Sequence, residues 1–417
     1  MNKNTPHSNE DSFWSKQSKR IILRYFSKME KGRMEIELPC GEKFICGNDE
    51  NCNPAKMRIR SSNFFKKCVL YGDIGLGEAY VEGDWDTDDI SSVISWFILN
   101  VKKSPSKSVE TARSFLINSL GVINQIKHKF RANTIDKSKK NIHEHYDLGN
   151  DFYKLFLDES MTYSCAYFEG NNNDLNKAQI AKYDRLCKKL KIKESDNVLE
   201  IGCGWGGFAE YAASQYGCNV TGITISKEQL SYAKERINKS GLSKKVTFLF
   251  EDYRKVEGKF DKIVSIEMME AVGDAYLEEY FRQCHQLLKP EGLLGLQIIT
   301  CPDSRYEDLR KGNDWTQKHI FPGSLLLAQH RVAQAMNRVG TLFLHSWEEF
   351  SENYSRTLMA WHERFNESLP EVCAMGFDEN FIRKWNYYLC YCSAGFSMRN
   401  VGVAQAIYTR PNNLTLK

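Results

Sequence analysis

The stretch LEIGCGWGGFA, Leu199 to Ala209, places Gly202, Gly204, Gly206 and Gly207 between an apolar run and a helical pattern. Glycines there permit a tight turn and let a ligand lie against bare backbone at a helix start. Glu200 stands just before them, and the following apolar run ends in GITIS, with no Asp or Glu to grip a ribose. The spacing G-x-G-x-G also departs from the G-x-G-x-x-G of dinucleotide folds. A bare strand–helix turn is the other reading of these glycines. Two further groups invite chemistry: Glu270, a carboxylate ending the apolar run FDKIVSIEMM, and Gln297, an amide inside the strand-like GLLGLQIIT. A buried amide without partners costs about 1–3 kcal/mol, so Gln297 needs a partner, either in the fold or in a substrate. Two clusters are set aside. HEH at His143–His145 lacks the spacing of H-E-x-x-H, and Cys390 and Cys392 in LCYCSAG are too close, in too apolar a context, for zinc. No metal site is expected.

The elements that must position these residues begin at about Asp196. NVLEIGC, NVTGITI, VTFLFED, FDKIVSIEMME and GLLGLQIIT read as strands, with GGFAEYAASQYG, KEQLSYAKERINKSG and LEEYFRQCHQLLK as helices between them. Such alternation predicts an α/β, Rossmann-like, doubly wound and mostly parallel sheet, which binds ligands beyond the carboxyl ends of its strands. Upstream, Met34–Gly47 alternates as a hairpin turning at Cys40–Gly41, and Ala55–Arg60 as another strand. Two helices separated by a glycine-punctuated turn follow, stopping at Gly83–Asp84, so residues 21–110 predict a small α+β domain. Residues 1–20 read as a flexible tail, 111–140 as a basic linker, and 141–417 as the main domain. Between Lys127 and Lys140 stand six Lys/Arg and one Asp. That segment is a solvated linker, a lipid-docking segment with Leu120, Val122, Ile123, Ile126 and Phe130, or both.

Bulk composition bounds the rest. The chain has 417 residues, 42% hydrophobic, with thirteen cysteines in no disulfide-like framework and a formal charge of +4. Met1–Ser18 is polar, so no secretory signal is expected, and reduced thiols in a cytoplasmic setting are the simplest reading. No run of about 18 apolar residues occurs, so no membrane span is expected. The charge is small for this length, and no nucleic-acid partner is expected.

LEIGCGWG resembles motif I of the class I S-adenosylmethionine-dependent methyltransferases. HYDLGNDFYKLFLDESMTYSCAYFE, DIGLGEAYVEGDWD, IFPGS and YSRTLMAWHERF together resemble the cyclopropane-fatty-acyl-phospholipid synthase family, in order, from about residue 20 to 410. The resemblance implies methylation of a cis double bond in a phospholipid acyl chain, closing a cyclopropane ring. It also implies S-adenosylmethionine, a bound bicarbonate ion as base, a lipid-binding N-terminal domain and peripheral attachment to the inner membrane face. Family members are often dimers, and a homodimer is compatible with it. Such chemistry places the methyl about 3–3.5 Å from the alkene, and needs aromatic faces around a carbocation and a base beside the new methyl.

Residue by residue, the resemblance assigns the bicarbonate to Cys165 (through its backbone), Glu270, Gln297, Ile299 (through its backbone) and Tyr354. It assigns Tyr163, Ser164, Gly202, Gly204, Thr224, Gln229 and Asp252 to the cofactor, with Asp252 taking the adenine amine. Two departures stand out. Ala271 replaces a His that bacterial members commonly carry, and Gln297 replaces a bicarbonate-binding His. An amide both donates and accepts, yet carries no charge and shuttles no proton. The competing readings are a lipid C-methyltransferase giving methyl- or methylene-branched chains without ring closure, an amine methyltransferase, and a lipid carrier with a relict cofactor site.

Overall fold

The computed structural model describes residues 13–100, 148–312 and 314–416. They form two compact units. The basic segment and His143–His145 lie outside the described residues.

In the first unit, β1 (Met34–Glu37) pairs antiparallel with β2 (Lys43–Cys46) in the expected hairpin, and parallel with β3 (Ala55–Ile59). β4 (Trp85–Asp86) closes the sheet against β3. Helices α1 (Phe13–Phe26), α2 (Asn63–Tyr71), α3 (Asp73–Val81) and α4 (Ile90–Asn100) complete it. Two expectations change here. Phe13–Arg20, assigned to a flexible tail, is helical, because Ile22 and Phe26 bury one stripe of α1. The segment Phe377–Ala394, assigned to the C-terminal domain, groups with this unit. Arg383 accounts for that: its guanidinium donates to the carbonyls of Tyr80 (2.7 Å) and Trp85 (3.0 Å) and lies 4.1 Å over the Tyr80 ring. Long-range contacts of this kind leave no periodic trace in sequence.

The second unit is built on a seven-stranded sheet ordered β10-β11-β9-β8-β5-β6-β7. Its strands are β5 (Asn197–Ile201), β6 (Asn219–Thr224), β7 (Val246–Phe250), β8 (Phe260–Ile266), β9 (Leu288–Thr300), β10 (Phe343–Glu349) and β11 (Gly402–Thr409). The first five are parallel, as expected. β11 adds antiparallel to β9, and β10 antiparallel to β11, neither of which the alternation foretold. Strand order reverses between β5 and β8, so the carboxyl ends of these strands and of β6 and β9 frame the crevice.

Alternate strand residues feed two cores, which is why the strands read as continuous apolar runs. Leu199, Ile263, Leu294, Leu296 and Ile298 pack against α8 (Leu277–Leu287) and α9 (Gln329–Val339). Val198, Val220, Val264 and Leu293 pack against α5 (Leu175–Lys189), α6 (Gly207–Tyr216) and α7 (Lys227–Lys239). α5 starts on an Asp174 cap and α7 on a Ser226 cap, each accepting a backbone N–H. The last site element is α10 (Glu352–Glu367).

Phe248 on β7 lies where a Cβ on Gly222 (2.6 Å) or Gly206 (2.9 Å) would project. The glycine turn therefore seats on β6 and β7 only while both positions lack a side chain. Gly222→Ala is expected to cost about 1–3 kcal/mol by overpacking, read as a lower urea midpoint with unchanged m-value.

Candidate active site

Gln297 finds its partners inside the protein. It is fully buried on β9, and its amide nitrogen donates to the Cys165 carbonyl (3.1 Å) and to Glu267 Oε1 (2.7 Å). Its oxygen accepts from the amide of Gln405 (3.2 Å), which stands directly opposite on β11. That last bond fixes which end of the amide faces the site, since the neighbouring Gln405 nitrogen is a donor.

Glu267 is the residue that sequence reasoning passed over. It follows β8 at the carboxyl end of the sheet, with its own N–H on the Gln297 carbonyl (2.8 Å). Its φ is +49°, a region that non-glycine residues rarely occupy and that tends to mark functional sites. Oε1 accepts from the Cys165 N–H (2.9 Å) and from Gln297, while Oε2 accepts from the Tyr354 hydroxyl (2.5 Å). The available signal was a second carboxylate three residues before Glu270 in SIEMMEAVG.

The five residues assigned to the ion do converge, but on carboxylates. Glu270, expected to end the strand, sits one short turn later, in Met269–Ala271. It accepts from the Ile299 N–H, and its other oxygen is buried without a partner among the described residues. Burial, and after it the charge of Glu267, pushes the Glu270 carboxyl up to about 8. Burial also raises Glu267, while its three hydrogen bonds and the Lys182 charge pull the other way. Burial pushes the Cys165 thiol well up, which disfavours the thiolate a nucleophile would need. Bicarbonate therefore does not fit as the resemblance implied. The Cys165 N–H, the Gln297 amide and the Tyr354 hydroxyl already serve Glu267, and the Ile299 N–H serves Glu270.

An aromatic wall stands beside this cluster. Tyr354 stacks on Phe396 (4.3 Å between centroids) and meets Trp361 edge-on, and Trp361 lies 5.2 Å from Tyr163. Beneath Ser164 lies a second missed residue, the fully buried Lys182 of α5, whose ammonium donates to Ser164 Oγ (2.8 Å). Burial lowers its pKa to about 8.

The cofactor positions fit S-adenosylmethionine. Gly202 and Gly204 hold positive φ (+83° and +51°), and a Cβ on Gly204 would meet nothing within 4 Å, leaving that face of the turn open. Thr224 and Gln229 are buried at the end of β6 and bonded to each other (3.0 Å). Tyr163 and Ser164 belong to the Cys165 loop. Asp252 lies beyond β7, but its carboxylate already accepts from the Arg254 backbone N–H and guanidinium. An adenine amine would share it with that arginine. One Glu200 oxygen is buried without a partner among the described residues, an acceptor placed two residues before the turn.

Glu270 makes stability depend on pH. A carboxyl pushed up in the folded state to about 8, above its ordinary value of 4.5, holds its proton longer there. Its contribution is therefore full below the lower value and lost as pH rises through the higher. Glu270→Gln is expected to flatten this decline. Its Tm should gain on wild type between pH 5 and pH 8 by an amount on the order of a few °C, read by calorimetry at several pH values.

Comparison with protein-family models matches residues 133–406 to the family described as mycolic acid cyclopropane synthetase. The cyclopropane-fatty-acyl-phospholipid synthase of Escherichia coli K12 is 38% identical over 86% of this chain and 88% of its own. The tuberculostearic acid methyltransferase UfaA1 of Mycobacterium tuberculosis is 34% identical over 84% and 82%. Among solved structures, mycolic acid cyclopropane synthase CmaA1 complexed with SAH and CTAB is 29% identical, with TM-score 0.60 over 65% of this chain and 98% of that one. With its methyltransferase sheet, glycine turn and buried carboxylate cluster, the chain belongs to the mycolic acid cyclopropane synthetase family of S-adenosylmethionine-dependent enzymes.

Proposed function

We propose that this chain transfers a methylene from S-adenosylmethionine to the cis double bond of unsaturated phospholipid acyl chains, forming a cyclopropane fatty acid. The observation that carries this reading is the carboxylate pair, Glu267 and Glu270, set beside an aromatic wall at the carboxyl end of the sheet. When bound, S-adenosylmethionine supplies an electrophilic methyl group. The protein's part is to hold the alkene in line, shield the cation from water, stabilise it and remove a proton. Tyr354, Trp361 and Tyr163 offer ring faces to a cation without bonding to it. Deprotonation by bound bicarbonate, the finer form of the resemblance, meets donors that two side chains already hold.

Expression in a host lacking cyclopropanated lipids, followed by gas chromatography and mass spectrometry of acyl chains, tests this. The expected product carries one extra CH2 and resists mild hydrogenation of double bonds. An extra CH2 with a double bond that is reducible would instead mark methylene branching, and a saturated methyl branch is told apart by its fragmentation. The similarity to a tuberculostearic acid methyltransferase keeps branching as the second reading.

The acceptor is a peripheral lipid surface at the cytoplasmic membrane face in this proposal. Helix α1 supports it: Phe13, Trp14, Ile21 and Tyr25 are exposed large apolar residues, among exposed Lys16, Arg20 and Arg24. Apolar and basic groups on one helix suit the boundary of an anionic bilayer, and no described helix is long and apolar enough to cross one. Trp14→Ser with Tyr25→Ser is expected to reduce sedimentation with phosphatidylglycerol vesicles several-fold, leaving S-adenosylmethionine affinity unchanged.

A further inference from the structure

The donors expected to hold an ion are turned instead on a side chain of the chain itself, and each has another reason to stay there. The Cys165 N–H belongs to a loop pinned by Ala166 N–H donating to Thr357 Oγ1 (3.1 Å) and by Gln179 donating to the Ser164 carbonyl (2.9 Å). Gln297 is locked by Gln405, and Tyr354 by its stack on Phe396. An ionised carboxylate has about four lone-pair sites. Among the described residues three are filled: two on Oε1, by Cys165 and Gln297, and one on Oε2, by Tyr354. One site on Oε2 is left, on the oxygen that the Tyr354 hydroxyl marks at the aromatic wall. The positive φ at Glu267 places a carboxylate where a glycine would sit at ease, and residues held so often mark functional sites.

We infer that Glu267 is the base of the reaction, a built-in carboxylate whose Oε2 takes the proton from the newly added methyl group. The inference rests on the lipid methylene-transfer reading above. In the step, the alkene π pair forms the bond to the methyl carbon as the sulfur–carbon bond breaks, leaving the second alkene carbon cationic. The C–H pair of the new methyl then closes the ring, and its proton passes to Glu267 Oε2 and onward to water. No oxidant, reductant or further ion is needed. Glu270, protonated more readily than an ordinary carboxyl through burial beside Glu267, leaves the working negative charge on Glu267, a division of labour familiar in carboxylate pairs. Gln297 acts as a positioning residue, holding Oε1 so that Oε2 faces the substrate.

The test uses the full chain with unsaturated phospholipid vesicles. Wild type should turn over equally, within about twofold, in bicarbonate-depleted and bicarbonate-supplemented buffer, and Glu267→Gln should lose about 100-fold or more in kcat while still binding S-adenosylmethionine by calorimetry. Glu267→Gly, which suits the positive φ and so should fold, is expected to be inactive in depleted buffer and to regain activity with added bicarbonate or formate. A titration with 13C-bicarbonate followed by NMR gives a readout free of turnover: saturable broadening with Glu267→Gly and none with wild type. Bicarbonate dependence of wild type, saturable bicarbonate binding by wild type, or near-normal rates in Glu267→Gln would each overturn the inference. Absence of any lipid product from wild type would overturn the lipid reading instead, and the NMR titration would still decide whether Glu267 has taken the place of the ion.

Discussion

The Glu267 carboxylate is the point on which the second unit is drawn together. A partly buried carboxylate must collect donors or surrender its charge, and its donors come from three places far apart in sequence. The Cys165 loop supplies a backbone N–H, β9 supplies the Gln297 amide, and α10 supplies the Tyr354 hydroxyl. Each donor is in turn held by something else, so the cluster couples the loop before the sheet, the middle of the sheet and the helix that follows it. Displacing Glu267 would leave one N–H of the buried Gln297 amide and the Cys165 backbone N–H without their acceptor, which costs more than the bonds themselves are worth.

That arrangement also separates two acids that are three residues apart. Glu267 is surrounded by donors and has a buried lysine in its field; Glu270 accepts from backbone N–H and keeps one buried oxygen without a partner among the described residues. Burial, and after it the charge of the first, favours the proton on the second. Two carboxyls held in such unlike surroundings can divide acid–base work between them. The aromatic residues beside them add faces that tolerate a passing positive charge.

Much of this was legible in the sequence. The glycine turn, the five parallel strands, the first-unit hairpin and the paired helices α2 and α3 announced themselves through local patterning and turn chemistry. The residues expected around the ion do meet: Cys165, Glu270, Gln297, Ile299 and Tyr354 lie within one network. What was not legible is non-local. The antiparallel strands β10 and β11 carry no signal of where they will pair. The return of Phe377–Ala394 to the first unit depends on an arginine meeting carbonyls some 300 positions earlier. Helix α1 was hidden by the polar composition of the residues before it.

The sequence alone determined which chemistry is available: glycines for a cofactor, carboxylates and an amide at strand ends, and rings to face a cation. These are properties of residue type and spacing. Which carboxylate does what was decided only by the tertiary structure, because the charge state of a buried acid depends on the donors and charges that folding brings around it. Gln297 looked, as sequence, like an amide awaiting an ion. Folded, it has Gln405 behind it and Glu267 before it, and the anion it serves is part of the chain.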